Sequence, residues 1–260
     1  MRNGKSAGQG TADRPIERRE RHEGLAIAWR ISFLGALAAL SFLAISKPDP
    51  YLDILKFIPD GILVTFKVTT ASICFAIILG LIAGLGRISR NMIFNSVASV
   101  YVEVVRGIPL LVQLFYIYYA LGRFVRLPDI AAAIIAMSIC YGAYMGEVFR
   151  AGIESIDPGQ TEAALSLGFT RTQTMFHVIL PQAWRTILPP LGNESIALLK
   201  DTSLVSILAV ADILRRGREF ASETFTYFET YTVIALVYLL ITLSLSKLVS
   251  ILEKKLRYYD

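Results

Sequence analysis

Residues 62–86 read ILVTFKVTTASICFAIILGLIAGLG, and Lys67 is the single charged side chain among them. A helix that crosses a bilayer needs about 20 predominantly apolar residues, because the hydrocarbon core is about 30 Å thick and each residue adds about 1.5 Å. Lys67 lies near the start of the stretch, where its long side chain can reach the membrane surface. The stretch therefore predicts a transmembrane helix.

Five further apolar stretches occur along the chain. They lie at residues 25–46, 93–121, 130–149, 187–210 and 231–252. Hydrophobic residues make up 54% of the chain and charged residues only 18%, against about 25% charged residues in an average soluble domain. The sequence therefore predicts an all-α integral membrane protein with five or six spans.

The first apolar stretch differs from a cleaved signal peptide, whose apolar core has roughly 7–15 residues. Residues 25–46 form a longer run, and Lys-Pro-Asp-Pro at 47–50 follows directly in place of a small-residue cleavage site. We therefore expect a retained helix. Residues 1–24 are polar and rich in arginine, which is typical of a disordered tail.

The distribution of lysine and arginine predicts the orientation, because cytoplasmic loops carry more of them. With a cytoplasmic N-terminus, fourteen of these residues fall on the cytoplasmic side and seven on the outer side. We therefore predict that both termini are cytoplasmic. The net charge of +5 could indicate nucleic acid as a partner. The basic residues flank apolar runs instead, so we expect membrane lipid around the protein and no nucleic acid.

The loop at residues 155–181 reads SIDPGQTEAALSLGFTRTQTMFHVILP. Its sequence is helical: Asp157, followed by proline, can cap a first short helix. Gly168 fits the left-handed residue that closes that helix. Thr170 and Gln173 have the spacing of a capping box, which starts a second helix. The loop therefore predicts two short helices joined by a bend, an element small enough to lie in a groove of a partner.

The end of this loop carries a further signal, since Pro181 is expected to disturb the second short helix near the membrane surface. Prolines are expected to act in two apolar runs as well. Gly107 and Pro109 predict a bend that exposes backbone groups toward a cavity. Pro189 and Pro190 predict another break.

The same loop resembles the EAA loop of ABC-importer permeases. The resemblance rests on Glu162-Ala163-Ala164, on Gly168 six residues after the glutamate, and on Leu180-Pro181. Three other blocks are similar to segments of the polar amino-acid uptake branch: YVEVVRGIPLLVQ at 101–113, EVFRAGI at 147–153 and KDTSL at 200–204. Together they cover roughly residues 61–253.

The resemblance implies a permease core of five helices at residues 61–253, preceded by one extra N-terminal transmembrane helix at residues 25–46. It also implies that the loop at 155–181 docks on an ATPase subunit. The residues expected to make or shape that contact are Gly159, Gln160, Glu162, Ala163, Ala164, Gly168, Leu180 and Pro181.

The resemblance implies four partners: an ATP-hydrolysing subunit, a second permease copy or homologue, an extracytoplasmic solute-binding protein, and an amino acid as substrate. No G-x-x-x-x-G-K-[ST] phosphate-binding loop occurs in the sequence. We therefore expect a non-catalytic subunit of a bacterial inner-membrane importer that works by alternating access. No cofactor is expected in this chain, and ATP with Mg²⁺ is expected in the partner ATPase.

Polar residues inside the apolar runs are candidates for the solute pathway, since a charge near the centre of a membrane helix costs about 2.5–3.5 kcal/mol. The candidates are Glu103, Arg106, Asn193, Glu194, Lys200, Asp201, Thr202 and Ser203. Two structural explanations stay open. Glu103 and Arg106 are three residues apart and could pair with each other, and Lys200 could neutralise Asp201 near the outer interface.

Two other functions are alternatives to the permease hypothesis. An ion-coupled secondary transporter of a small polar solute also has intramembrane charges and broken helices, but it needs no docking loop. A membrane-embedded enzyme needs a clustered catalytic set, and the apolar runs contain no His, Cys or Ser–His constellation. His177 stands alone in the loop, so a metal site is not expected.

Overall fold

The computed structural model of the protein describes residues 15–125 and 127–257. Within these ranges the chain is helical and contains no strand. The helices are α1 (Pro15–Ser46), α2 (Pro48–Phe57), α3 (Pro59–Arg87), α4 (Met92–Gly107), α5 (Leu110–Phe115), α6 (Asp129–Glu154), α7 (Pro158–Ser166), α8 (Arg171–Thr174), α9 (Leu180–Asp201), α10 (Ile213–Thr224) and α11 (Tyr227–Arg257). A 3₁₀ segment, Thr202–Leu208, follows α9, and π turns occupy Tyr116–Ala120 and Met175–Ile179.

Four helices in the described ranges are long and apolar enough to cross a membrane. They are α1 from Ile27 onward, α3, α6 and α11. The helices α4 and α5, with the π turn that follows α5, pass the same test together as a pair bent by 104°, which gives a fifth span if the pair crosses once. The helix α9 carries Glu194, Lys200 and Asp201 and lies outside this set. The prediction of an all-α membrane protein is confirmed.

The bend between α4 and α5 lies at residues 107–109, as the sequence predicts for Gly107 and Pro109. The predicted break at Pro189 and Pro190 is wrong, because α9 continues through both prolines. A proline removes one backbone donor from a helix, so two prolines need not end a helix that is packed on both sides. The predicted disturbance before Pro181 is confirmed: α8 gives way to the π turn Met175–Ile179.

The helices α3 and α6 form the centre of the molecule and approach each other through small residues. A side chain at Gly80 would meet Met145, and one at Gly84 would meet Phe149. Phe149 is fully buried. Since neither glycine carries a Cβ, the two backbones pack close together, and α6 presents its other faces to α4 and α9.

Peripheral helices pack around this centre. The side chain of Trp29 in α1 donates a hydrogen bond to the Leu243 carbonyl of α11 (2.8 Å), and the Lys247 ammonium lies 4.9 Å from the centre of the Trp29 ring. The helices α2 and α10 bury Ile54 and Ile213 against the first part of α11. The backbone of α1 begins at Pro15, upstream of the predicted start at residue 25. Residues 1–14 of the predicted tail lie outside the described ranges.

Candidate functional site

The loop between α6 and α9 forms the two short helices that the sequence predicts. Asp157 caps α7, and its carboxylate accepts a hydrogen bond from the Gly159 backbone N–H (2.6 Å). Thr170 starts α8, where its side chain accepts from the Gln173 N–H while the Gln173 side chain accepts from the Thr170 N–H. Both N-terminal caps are therefore present, and each satisfies donors that a helix start leaves unpaired.

The bend between the two helices is centred on Gly168. Its φ of +87° lies in the left-handed region, which only glycine adopts without strain. The Phe169 N–H bonds back to the Ala164 carbonyl (3.2 Å), so the end of α7 is closed as well. We call residues 157–173, which comprise α7, the Gly168 turn and the start of α8, the docking corner.

The predicted docking residues lie in or next to this corner. Gly159, Gln160, Glu162, Ala163 and Ala164 belong to α7, Gly168 forms the bend, and Leu180 and Pro181 begin α9. The Gln182 side chain donates to that of Gln160 (3.2 Å) and ties α7 to α9. Ala164 is buried. Glu162 and Leu167 are exposed, and so are Asp157, Leu165 and Phe169, so the corner presents acidic and apolar groups outward.

A second site is a cavity of about 280 Å³ between α4, α6 and α9. Its polar lining comes from Arg106, Tyr144, Glu147, Thr186 and Glu194, and Pro190 is among its apolar residues. The Arg106 guanidinium lies 5.3 Å from the centre of the Tyr144 ring. The volume lies just below the roughly 300–1,000 Å³ of ordinary small-molecule pockets. The cavity therefore combines a volume near that of small-molecule pockets with both cationic and anionic side chains in its lining.

The carboxylate of Glu147 joins three arginines at the edge of this cavity. It forms ion pairs with Arg87 and Arg150, and the Arg106 guanidinium lies 3.9 Å away. Arg87 and Arg150 already neutralise Glu147. Of the three arginines, Arg106 is the one that lines the cavity. The second carboxylate in the lining is that of Glu194.

The other predicted pathway residues lie outside the cavity. Glu103 does not pair with Arg106 but with Arg87 (3.4 Å), and its side chain is 72% exposed. Asp201 accepts a hydrogen bond from the Tyr141 hydroxyl (2.7 Å) rather than pairing with the exposed Lys200. The rest of the set contains exposed Asn193, buried Thr202, which donates to the Leu199 carbonyl, and half-buried Ser203. The structure thus brings together Arg106 and Glu194 only.

Sequence reasoning missed Tyr144 and Glu147 as members of the site. A signal for Glu147 was present, because it is the only charge within residues 130–149. Arg150 and Glu154 follow at spacings of three and seven residues, which places all three on one face of α6. Gln182 gave no comparable signal, since its partner Gln160 lies in another helix.

Comparison with known proteins agrees with this geometry. Residues 76–258 match the model of the family described as "Binding-protein-dependent transport system inner membrane component". The match includes the docking corner and all three helices that line the cavity.

Two relatives are similar to about three quarters of this chain. The chain is 38% identical over 201 residues to the glutamine transport system permease protein GlnP of Escherichia coli K12, covering 76% of this chain and 92% of GlnP. It is 42% identical over 201 residues to the L-cystine transport system permease protein TcyB of Bacillus subtilis 168, covering 76% and 86% of the two chains.

The solved structure is a crystal structure of an amino acid ABC transporter with histidines, which is 41% identical with a TM-score of 0.74 and covers 82% of this chain and 98% of that chain. Residues 76–258, which match the family model, contain the docking corner, the bent α4–α5 pair and the residues of the charged cavity. The chain therefore belongs to the inner-membrane components of binding-protein-dependent transport systems, the permease subunits of ABC importers.

Proposed function

We propose that this permease imports a polar amino acid, and that a separate ATPase subunit drives it by docking on the corner at residues 157–173. The observation that carries the docking is the corner itself: two capped helices present an exposed carboxylate, Glu162, and an exposed apolar side chain, Leu167. The caps at both helix starts and the turn at Gly168 make this element rigid. A rigid element can pass a movement of the ATPase on to the membrane helices without deforming itself. ATP with Mg²⁺ belongs to the ATPase partner in this proposal.

We also propose that two permeases, either two copies or a pair of homologues, face each other across their cavities. Arg106 and Glu147 are 41% and 27% exposed at the cavity edge. A charged group on a membrane-spanning bundle is costly against lipid. A second permease covering this face would remove that cost and enclose the solute between the two chains.

An amino acid carries a carboxylate and an ammonium group, and the cavity offers a partner for each. Arg106 is the proposed partner of the carboxylate, because a guanidinium can donate two parallel hydrogen bonds to it. Glu194 is the proposed partner of the ammonium. Asp201 and its neighbours lie at the far end of α9 from the docking corner, where a solute delivered by an external binding protein would enter. Alternation between openings at the two ends completes the transport cycle.

The number of crossings supports a cytoplasmic location for the docking corner and both termini. Six segments are proposed to cross the membrane once each: α1, α3, the α4–α5 pair, α6, α9 and α11. With six crossings, the corner and the two chain ends share one side. The ATPase needs cytoplasmic ATP, so this side is the cytoplasm.

The experiment reverses the charge of Glu162. We expect Glu162→Lys to reduce both ATPase co-purification and ATP-driven uptake at least about tenfold, since a tenfold loss corresponds to about 1.4 kcal/mol of binding energy. The matched control is Glu223→Lys, the same reversal at an exposed site of α10. Both variants should insert in the membrane. Wild-type co-purification and uptake by Glu162→Lys would reject docking through this carboxylate.

A further inference from the structure

The bend between α4 and α5 leaves two backbone carbonyls without the N–H donor that lies four residues further on in a continuous helix. In a continuous helix the Val105 carbonyl would accept from the N–H of residue 109. Residue 109 is proline and has no N–H, and the remaining bond to Val105, from the Ile108 N–H, is long (3.4 Å). The N–H of Val112, the helical donor for Ile108, bonds to the Pro109 carbonyl instead (3.0 Å). Two carbonyls, those of Val105 and Ile108, therefore need other donors.

One side chain supplies both donors. The Gln113 amide nitrogen lies 2.7 Å from the Val105 carbonyl oxygen and 2.7 Å from the Ile108 carbonyl oxygen. A primary amide has two N–H groups, so each carbonyl can receive one. Gln113 is 8% exposed, and the sulfur of Cys140 in α6 lies 3.7 Å from the same nitrogen. The amide therefore joins the end of α4 to the start of α5 against the central helix.

The two carbonyls that Gln113 holds lie on either side of Arg106 in the chain. Val105 precedes Arg106 directly, and Ile108 is two residues beyond it. Fixing both carbonyls fixes the backbone from which the Arg106 side chain extends to Tyr144 and the cavity. Without the amide both carbonyls would lose these hydrogen bonds, which favours another backbone path.

We propose that Gln113 is a positioning residue for transport: its amide clamps the bend so that Arg106 is held at the solute cavity. This inference rests on the proposed role of Arg106 in the pathway. Gln113 itself does not line the cavity, so its effect on transport passes through Arg106. If the Gln113 amide served folding or assembly alone, its removal would affect those instead. The decrease in uptake caused by removing the amide would then add to the decrease caused by replacing Arg106.

A double-mutant cycle separates these possibilities in the reconstituted transporter with its ATPase and binding protein. Uptake of radiolabelled L-glutamine and L-arginine is measured for Gln113→Met, Arg106→Gln and the double variant, together with basal ATP hydrolysis and co-purification. Methionine keeps the length of glutamine and removes both donors. The control is Cys140→Ala, which removes the third contact of the amide and leaves the two carbonyl bonds in place.

We expect each single variant to lower uptake about tenfold while co-purification with the ATPase stays at the wild-type level, and the double variant to lie within about twofold of the lower single variant. Cys140→Ala should lie within about twofold of wild type. A roughly hundredfold loss in the double variant would overturn the positioning role and leave Arg106 in the pathway. Normal uptake by Arg106→Gln would reject the pathway role of Arg106 and this inference with it.

A second variant covers the case in which Gln113→Met does not assemble. Gln113→Asn keeps both donors on a shorter side chain that cannot reach both carbonyls. It should assemble and show the same non-additive loss with Arg106→Gln. Failure of both substitutions to assemble would assign the amide to folding alone and overturn the proposal.

Discussion

At the scale of single residues, the docking corner depends on one left-handed backbone position. Gly168 has φ +87°, and a Cβ built there would meet no heavy atom within 4 Å. The restriction at this position is therefore conformational and not steric crowding by neighbouring side chains. Side chains that tolerate the left-handed region and side chains that resist it should give different results.

We predict that Gly168→Val uncouples the permease from its ATPase while Gly168→Asn does so only weakly. A β-branched residue in this region is strained by about 1–3 kcal/mol, whereas asparagine occupies it comparatively well. ATPase co-purification and ATP-driven uptake measure the effect, with membrane insertion as the check on folding. Equal behaviour of the two variants would show that the backbone at Gly168 is free to change.

At the scale of elements, the close contact of α3 with α6 fixes the centre of the bundle. A Cβ at Gly84 would lie 2.6 Å from the Phe149 Cβ and 2.8 Å from the Gly146 carbonyl oxygen. Neither group is the flexible end of a side chain, so even one methyl group must push the helices apart. Since α6 also carries Glu147 and Tyr144, such a shift would reach the charged cavity.

We expect Gly84→Ala to destabilise the detergent-solubilised protein by about 1–3 kcal/mol, the usual cost of overpacking a core. Gly35→Ala is the matched control, because Gly35 lies in α1 with no heavy atom within 4 Å of a built Cβ. Alanine favours helix over glycine, so the control should be neutral or slightly stabilising. Thermal unfolding of both variants tests this, and an unchanged midpoint for Gly84→Ala would contradict the close packing.

The start of α10 contains a buried carboxyl whose ionisation bears on stability. Asp212 caps α10 by accepting from the Arg215 and Leu214 N–H groups (2.9 and 3.3 Å). Burial raises the pKa of the Asp212 carboxyl to about 6, although the hydrogen bonds from these amides and from Tyr238 oppose the shift. The folded state therefore favours the protonated carboxyl more than the unfolded state does.

The sign of the pH effect follows from this raised pKa. The contribution of Asp212 to the free energy of unfolding should be fully present below pH about 4 and should be lost between pH about 4 and 6, by at most about 3 kcal/mol. Asp212→Asn keeps a capping oxygen and has no ionisable proton. Thermal midpoints between pH 4.5 and 8 should fall less with rising pH for Asp212→Asn than for wild type. Parallel curves for the two proteins would contradict the prediction.

At the scale of the whole molecule, the proposed crossings relate the docking corner to the two ends of the chain. The docking corner, the N-terminal end of α1 and the C-terminal end of α11 share a side if every proposed span crosses once. The basic residues also favour this side as the cytoplasm, by fourteen to seven. Given these crossings, the charge bias favours the proposed orientation, with the corner and both chain ends in the cytoplasm.

We predict that single cysteines introduced at Gly4 and at Tyr259 are not labelled by a membrane-impermeant maleimide added to intact cells. Labelling should appear once the membrane is permeabilised, which serves as the control for reactivity. A cysteine at Lys56, exposed in α2 on the opposite side, should be labelled in intact cells. Efficient labelling at either terminus without permeabilisation would reverse the proposed orientation.

Much of the fold and the docking corner could be predicted from the sequence, because their signals act over a few residues. Apolar runs of sufficient length specify spans whatever lies beside them. Asp157, Gly168 and Thr170 form their caps and bend with partners no more than five residues away. Gly107 and Pro109 likewise specify a bend from local chemistry alone.

The charged cavity was decided by tertiary structure. The sequence placed Glu103 near Arg106 and Lys200 next to Asp201, yet Glu103 pairs with Arg87 and Asp201 accepts from Tyr141. Those pairings depend on the rotation and tilt of one helix against another, which close contacts such as that of α3 with α6 determine. Periodicity specifies which residues share a face of one helix. It does not specify which face of a distant helix will meet them, and for that reason the charged cavity could be found only in the packed structure.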